Sequence, residues 1–334
     1  MTSVIKTKDN SGIGKSRFCM YLLIGLLLSA CGSKSQNSSF NIGALNGPTG
    51  LSLAKMMNEN RLEDSKSLPN YIIKNDPELI KAMMAREEVD LALIPFTMAA
   101  LLYNNDFPYQ LVGVPVWGSL FLVGSDTAIA HFDDLKGKKV SVLPRNMTPD
   151  IIFRHLLEIH ALEPDKDLTL DYTFPTPVEL SGALVAKRVA LGVIPEPMVS
   201  QVLYQNPDIK VLIDLAERWQ QMYGEEVPLV QTALVVRKGW ANENRSKLTK
   251  WCRMYAAAIQ WTNENTKEAG RLAVKHKIGN HTEVVASAIP RCHLDFEYGF
   301  EQKEKLENYL ELLYTTNKKI IGGRIPDEDF YYKK

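Results

Sequence analysis

Cysteine is scarce in this sequence, with four in 334 residues. That excludes a disulfide-stapled scaffold, and a chain of this length can bury its cores without staples. A surplus of basic charge is also missing. The 39 Lys and Arg balance 39 Asp and Glu, so the electrostatic footprint of a nucleic-acid binder is absent. Long apolar runs are lacking too. Phe18–Ala30 is a run of 13 uncharged residues, against the roughly 20 that a spanning helix needs. Metal-ligand spacings do not occur among the six histidines. His155 and His160 bracket Glu158 at the wrong interval for a zinc helix, and Cys292-His293 has no partners at a diagnostic distance. No metal, no cofactor and no catalytic residue is expected.

What is present begins with an asymmetry. The first thirty residues carry Lys6, Lys8, Lys15 and Arg17 against Asp9, a net of +3, which leaves 35 basic and 38 acidic residues in the remainder. A basic flank, a short apolar run and small residues are the order of an export signal. The run ends in Leu28-Ser29-Ala30-Cys31, which resembles the bacterial lipobox. Residues 1–30 are therefore expected to be a signal peptide and Cys31 a lipidated N-terminus. Residues 31–39, rich in Ser and otherwise mostly polar, read as a polar tether that cannot bury a core. Gly12-Ile13-Gly14-Lys15-Ser16 imitates the end of a phosphate loop, but Asp9 stands where that loop requires glycine. Cys252 and Cys292 remain; outside the cytoplasm they could pair or stay free.

The body contains a repeat. Phe40–Leu45 is a short apolar strand that breaks at Asn46-Gly47-Pro48-Thr49-Gly50 and passes into a helical pattern. Val140–Leu143 does the same, breaking at Pro144–Pro149. Thr49 and Thr148 read as helix N-caps. A second pair is clearer: Val89–Met98 lies 100 residues before Val189–Met198. Each is an apolar strand of the fully buried kind, stopped by proline. Each follows a helix that starts at a proline, Pro77 to about Arg86 and Pro177 to about Lys187. Alternating strands and helices give parallel sheets covered by helices, and two such sets imply two similar α/β lobes. Ligands in such sheets sit beyond the carboxyl ends of the strands. Those ends are Asn46–Gly50, Pro95–Thr97, Arg145–Thr148 and Pro195–Pro197. Helix N-termini starting there offer free amide groups. From Asn242 to about Asn263, Leu248, Trp251, Cys252, Tyr255 and Ile259 recur at spacings of three and four, the face of a core helix.

In this order, Gly47-Pro48-Thr49-Gly50, Asp90…Ile94-Pro95, Leu135–Val140, Pro195-Glu196-Pro197 and Gly322–Tyr331 resemble periplasmic solute-binding proteins of ABC importers. The likeness is greatest to the group that binds aliphatic sulfonates, nitrate and thiamine-pyrimidine precursors. The resemblance implies the type II two-lobed α/β fold, each lobe a mostly parallel sheet covered by helices. Lobe one would be 40–116 with 236–334, and lobe two 119–232, joined by crossover strands near Val116–Leu120 and Thr232–Val236. It further implies a small-molecule ligand held by hinge closure, a monomer, and a permease with its ATPase as partners, with the chain anchored outside the cytoplasm.

The residues expected to line the cleft are Gly47, Pro48, Thr49, Gly50, Pro95, Phe96 and Thr97 from lobe one. Asn146, Thr148 and Glu196 would come from lobe two, with Trp117 and Ser119 at the crossover. Trp117 and Phe96 are equally suited to core packing, and Glu196 to a solvated helix start. A carboxylate in the cleft would disfavour sulfonate or nitrate and favour a ligand with donor groups, such as an aminopyrimidine. An enzyme on the same fold, of pyrimidine-precursor or menaquinone-pathway type, is one alternative; a ligand-sensing surface lipoprotein without a transporter is another.

Overall fold

The computed structural model describes residues 39–59 and 68–334. The expected leader, the lipidated Cys31 and the tether as far as Ser38 fall outside them. Among the described residues no helix is long and apolar enough to cross a membrane.

The first strands and helices come from the patterns that announce them. β1 (Phe40–Leu45) leads into α1 (Pro48–Glu59), β2 (Pro69–Lys74) into α2 (Pro77–Ala85), and β3 (Leu91–Pro95) into α3 (Phe96–Asn104). After β4 (Tyr109–Val116) the chain crosses to a second sheet through Trp117–Ser119. It continues there as β5 (Leu120–Gly124), β6 (Lys139–Ser141), α4 (Thr148–Ile159), β7 (Thr169–Asp171) and α5 (Pro177–Val185). β8 (Leu191–Pro195), α6 (Met198–Gln205), β9 (Lys210–Asp214) and α7 (Leu215–Tyr223) complete that half. The return runs through residues 224–231, so β10 (Thr232–Arg237) lies wholly in the first sheet. α8 (Lys238–Glu243), α9 (Arg245–Glu264), α10 (Thr266–Lys275), α11 (Thr282–Ala288), β11 (Leu294–Tyr298) and α12 (Lys303–Asn317) follow.

Sheet one has the order β11-β4-β10-β3-β1-β2 and sheet two the order β7-β6-β8-β5-β9. Read backwards, the five strands of sheet two match β4-β10-β3-β1-β2 of sheet one, with β8 on β3 and β6 on β1; β11 is the extra strand of sheet one. The α/β twin-sheet class is the one expected, and both sheets are mixed. β1 pairs in parallel with β2 and β3, as β6 does with β7 and β8. β10 runs antiparallel to β3, and β5 antiparallel to β8. The reason is topological. Each of these antiparallel strands is the first the chain forms after changing sheets, so it enters at the end where the previous half finished.

The repeat extends to local features. Leu91–Ile94 and Leu191–Ile194 are buried throughout, as strands flanked by neighbours on both edges and covered on both faces must be. The helices α2 and α5 are capped at the same place, Asp76 accepting from the Glu78 amide and Thr176 from the Glu179 amide. Both end in the same hydrogen-bonded turn. The amides of Glu88 and Glu87 donate to the carbonyls of Met83 and Met84, and those of Arg188 and Lys187 to Ala183 and Leu184. The turn needs a left-handed residue, and Glu87 (φ 54) and Lys187 (φ 57) supply it without glycine.

Two cap expectations need correction. α1 starts at Pro48, not after Thr49, because proline suits the first helical position; the Leu51 amide bonds Gly47. α4 starts at Thr148 itself, with Met147 as the preceding residue and no side-chain cap. The Asp150 carboxylate closes this turn instead by accepting from the Asn146 amide. The core-helix expectation is met by α9, whose Leu248, Trp251, Cys252, Tyr255 and Ile259 are all buried. Cys252 and Cys292 are both free and buried. Burial pushes the Cys252 thiol up to about 12, which makes it an apolar filler rather than a nucleophile.

One element ties the halves together. α12 follows β11 of sheet one, yet Tyr309 stands between Phe96 (5.9 Å) and Trp219 of α7 (5.8 Å). Leu306, Leu310 and Leu313 extend the same buried cluster.

Candidate functional site

The strand ends of the two sheets face one another across a seam. β3 and β10 bring Pro95 opposite Thr232, and β10 and β4 bring Thr232 opposite Val116. In sheet two, β8 and β5 set Pro195 opposite Leu120. The crossing at Trp117–Ser119 therefore runs along the floor, and the loops after β1, β3, β6 and β8 form the two walls.

The walls touch. A methyl group at Gly47, whose φ is +104, would lie 3.8 Å from the Pro197 ring and 3.9 Å from the Glu196 carbonyl oxygen. There is room for that methyl at ordinary contact distance, so it is the backbone angle, which only a residue without Cβ adopts readily, that calls for glycine here. On the neighbouring loops Thr97 Oγ1 lies 3.3 Å from Thr148 Oγ1, a bond between the halves. Thr49 Oγ1 is 3.5 Å from Thr232 Oγ1, at the edge of hydrogen bonding. Both Thr49 and Thr97 are buried. Ser119 is fully buried, and its Oγ finds no hydrogen-bond partner among the described residues; neither does the Gln231 side-chain oxygen. Such orphaned groups call for an explanation, and both sit beside the crossings between the sheets. Helices α1, α3 and α4 also start at this seam, directing amides toward it.

Other expected residues are placed differently. Pro48 and Gly50 are buried in the first turn of α1, Gly50 against Ile278. Phe96 is fully buried, its ring packed on Tyr309 and Phe330; a ring so placed fills the core. Trp117 is half-buried and donates from Nε1 to the Asp295 carbonyl at 2.9 Å. It lines a recess of about 730 Å³ with Asp214, Glu217, Asp295 and Glu297, on the β9 and β11 side of the crossings rather than the β1–β3 side. Asn146 is exposed and left-handed (φ 66), with its side-chain oxygen 3.4 Å from Asn317 Nδ2.

Glu196 reaches the seam but not as an open acceptor. Oε2 accepts from the Ser200 amide at 3.0 Å and Oε1 from Ser200 Oγ at 3.0 Å. Arg291 Nε donates to Oε1 at 2.6 Å, and its Nη2 donates to Ser200 Oγ at 2.7 Å. Burial raises the Glu196 carboxyl above its ordinary value, while the Arg291 charge and the Ser200 hydrogen bonds work against that rise. The solvated-carboxylate alternative thus fails, because the side chain has lost its water. The expectation of a ligand contact meets a carboxylate that already accepts three hydrogen bonds from the protein. Arg291, Ser200 and Thr232 were not foreseen. Thr232 adjoins an expected crossover and could have been included; Arg291 lies 95 residues from Glu196, with no motif around it.

Comparison with known proteins places this architecture. A chain described as an ABC transporter from Parabacteroides distasonis is 25% identical, covering 89% of this chain and 99% of that one, with a TM-score of 0.77. The periplasmic aliphatic sulphonate-binding protein of Escherichia coli is 17% identical over 88% of this chain and 99% of its own, with a TM-score of 0.67. The periplasmic nitrate-binding protein of Synechocystis PCC 6803 is 16% identical, covering 75% and 69%, with a TM-score of 0.56. The fold is therefore that of the type II periplasmic binding proteins. A search of curated proteins gives no match. Residues 56–315 match the family described as menaquinone biosynthesis, itself built on this fold, and the chain belongs to that family.

Proposed function

We propose that this chain is an extracytoplasmic substrate-binding lipoprotein of an ABC importer, anchored through Cys31, which captures a small polar or planar solute between its two sheets. The observation that carries the reading is the meeting of strand-end loops from both sheets, with Thr97 and Thr148 bonded across the seam. A ligand held there contacts both halves at once, so its differential affinity favours the closed arrangement. The Thr49, Thr97, Thr148 and Thr232 hydroxyls, the first amides of α1 and the buried Ser119 Oγ supply donors and acceptors without a free charge. That set suits a hydrogen-bonding solute. The anchoring sequence, the signal-like leader and the solute-binding proteins of like fold support export, and a permease with its ATPase would receive the closed form.

The test is a thermal-shift screen of the full chain against pyrimidines, flavins, sulfonates and oxyanions, followed by calorimetry on the best binder. Thr49→Val and Thr148→Val should each weaken binding by about tenfold, the loss of roughly one hydrogen bond. Unchanged affinity in both variants would remove the seam as the binding site.

Family membership favours a second reading, an enzyme acting in the same seam. Mass spectrometry of the bound compound after prolonged incubation separates the two: recovery unchanged supports carriage, and a new product supports catalysis.

A further inference from the structure

The Glu196–Arg291 pair joins the two halves of the molecule and is uneven in its surroundings. Glu196 follows β8 of sheet two. Arg291 closes the short turn Ile289–Arg291 between α11 and β11, on the side of sheet one. The Glu196 side chain is fully buried, whereas 35% of the Arg291 side chain remains exposed. Closing the seam therefore strips the carboxylate of water almost completely and the guanidinium only in part. Beside the pair, the Tyr204 ring of α6 lies 5.7 Å from the ring of His281, which precedes α11, so these elements meet along a continuous strip.

We propose that Arg291 is a positioning residue for closure: it supplies the cation without which Glu196 cannot be buried between the halves, and so decides whether they stay together. This rests on the hinge-closure reading above. Its physical basis is that an ion pair gains little overall from burial, because desolvation offsets attraction, whereas one buried charge without its partner is strongly unfavourable. The two partners are then unequal. Without Arg291, Glu196 keeps only the amide and hydroxyl of Ser200, and the seam opens to rehydrate it. Without the carboxylate charge, a glutamine still accepts from Ser200, and the partly exposed Arg291 side chain recovers water with the seam closed. An ordinary stabilising salt bridge would make both losses alike.

Amide hydrogen exchange on the ligand-free full chain reads this directly. The seam segments 196–205 and 282–292 are followed, with β3 as an internal reference. Arg291→Ala should speed exchange in both segments by about tenfold or more with β3 unchanged, as loss of one buried partner demands. Glu196→Gln should stay within about threefold of the parent, and Glu196→Gln combined with Arg291→Ala should recover most of the protection. Arg291→Lys, which keeps the charge, should fall between the parent and Arg291→Ala. Should Glu196→Gln open the seam as far as Arg291→Ala, or the double variant fail to recover, the proposal is overturned. If instead seam and β3 change together in every variant, the halves never separate independently, and the hinge reading fails along with it. If Arg291→Ala does not fold, the comparison of Glu196→Gln, Arg291→Lys and the double variant still decides.

Discussion

Phe96 and Glu196 occupy the same position of the repeat, one residue after the proline that ends β3 and β8. Both are buried, at 0% and 1% exposure, and the ten-residue stretches around them share one burial pattern, residue for residue. Their chemistry could hardly differ more. Phe96 is covered by Tyr309 and Phe330 from the C-terminal segment. Glu196 is covered by Arg291 and Ser200. Topology fixes that the position is buried, because it lies where a central strand meets the opposite half. The covering partner, which arrives from far along the chain, decides whether the buried group is a ring or a charge. A permanently packed side thus stands opposite a side held by polar contacts, and the two should differ in how they yield.

The largest expected effect tests the packed side. Phe96→Ala should lower the unfolding free energy by about 3–5 kcal/mol, measured by chemical denaturation, and should loosen α12 because Tyr309 loses a neighbour. On the polar side, Glu196→Gln should change global stability by about 1 kcal/mol or less, since the charge left behind is that of Arg291, whose side chain is 35% exposed and recovers water. A loss as large as that of Phe96→Ala would break the contrast. Next comes the equivalence of the repeats. Glu87→Gly and Lys187→Gly each relieve a left-handed residue and should stabilise by about 0.5–1 kcal/mol. Their exposed ion pairs, to Arg237 and Asp208, add little. Unequal melting shifts would show that the two turns are alike only in outline.

The smallest effect concerns pH. Burial lowers the His155 pKa below its ordinary 6.5; the ring lies against Trp219 and Tyr223, with Nε2 2.5 Å from the Tyr223 hydroxyl. The folded state therefore binds the proton less readily than the unfolded one. Its contribution is present above pH 6.5 and is lost as the pH falls through the depressed folded value. Melting temperatures of the parent should drop more steeply on acidification than those of His155→Gln; parallel curves would sink the assignment.

Much of this architecture was legible from periodicity. The 100-residue offset exposed both halves, since buried central strands and proline-started helices leave local marks at Leu91–Pro95 and Leu191–Pro195. The core face of α9 was legible for the same reason. Strand direction was not, because β5 and β10 look like any apolar strand, and only the crossings give them their sense. In the site, the loops that meet could be named from strand ends, and Thr97 and Thr148 do meet. The partner of Glu196 could not, because nothing local marks Arg291, 95 positions further along the chain. Trp117 shows the limit from the other side: an aromatic beside a crossover can face either way, and a hydrogen bond to Asp295 chose the recess behind.

The wedge formed by α12 makes one ring serve two interfaces. Tyr309 belongs to the segment that follows sheet one, yet it touches Phe96 on one side and Trp219 of α7, beside sheet two, on the other. Trimming that ring would leave a void shared by both halves, so the packing of each half is felt by the other through a single side chain.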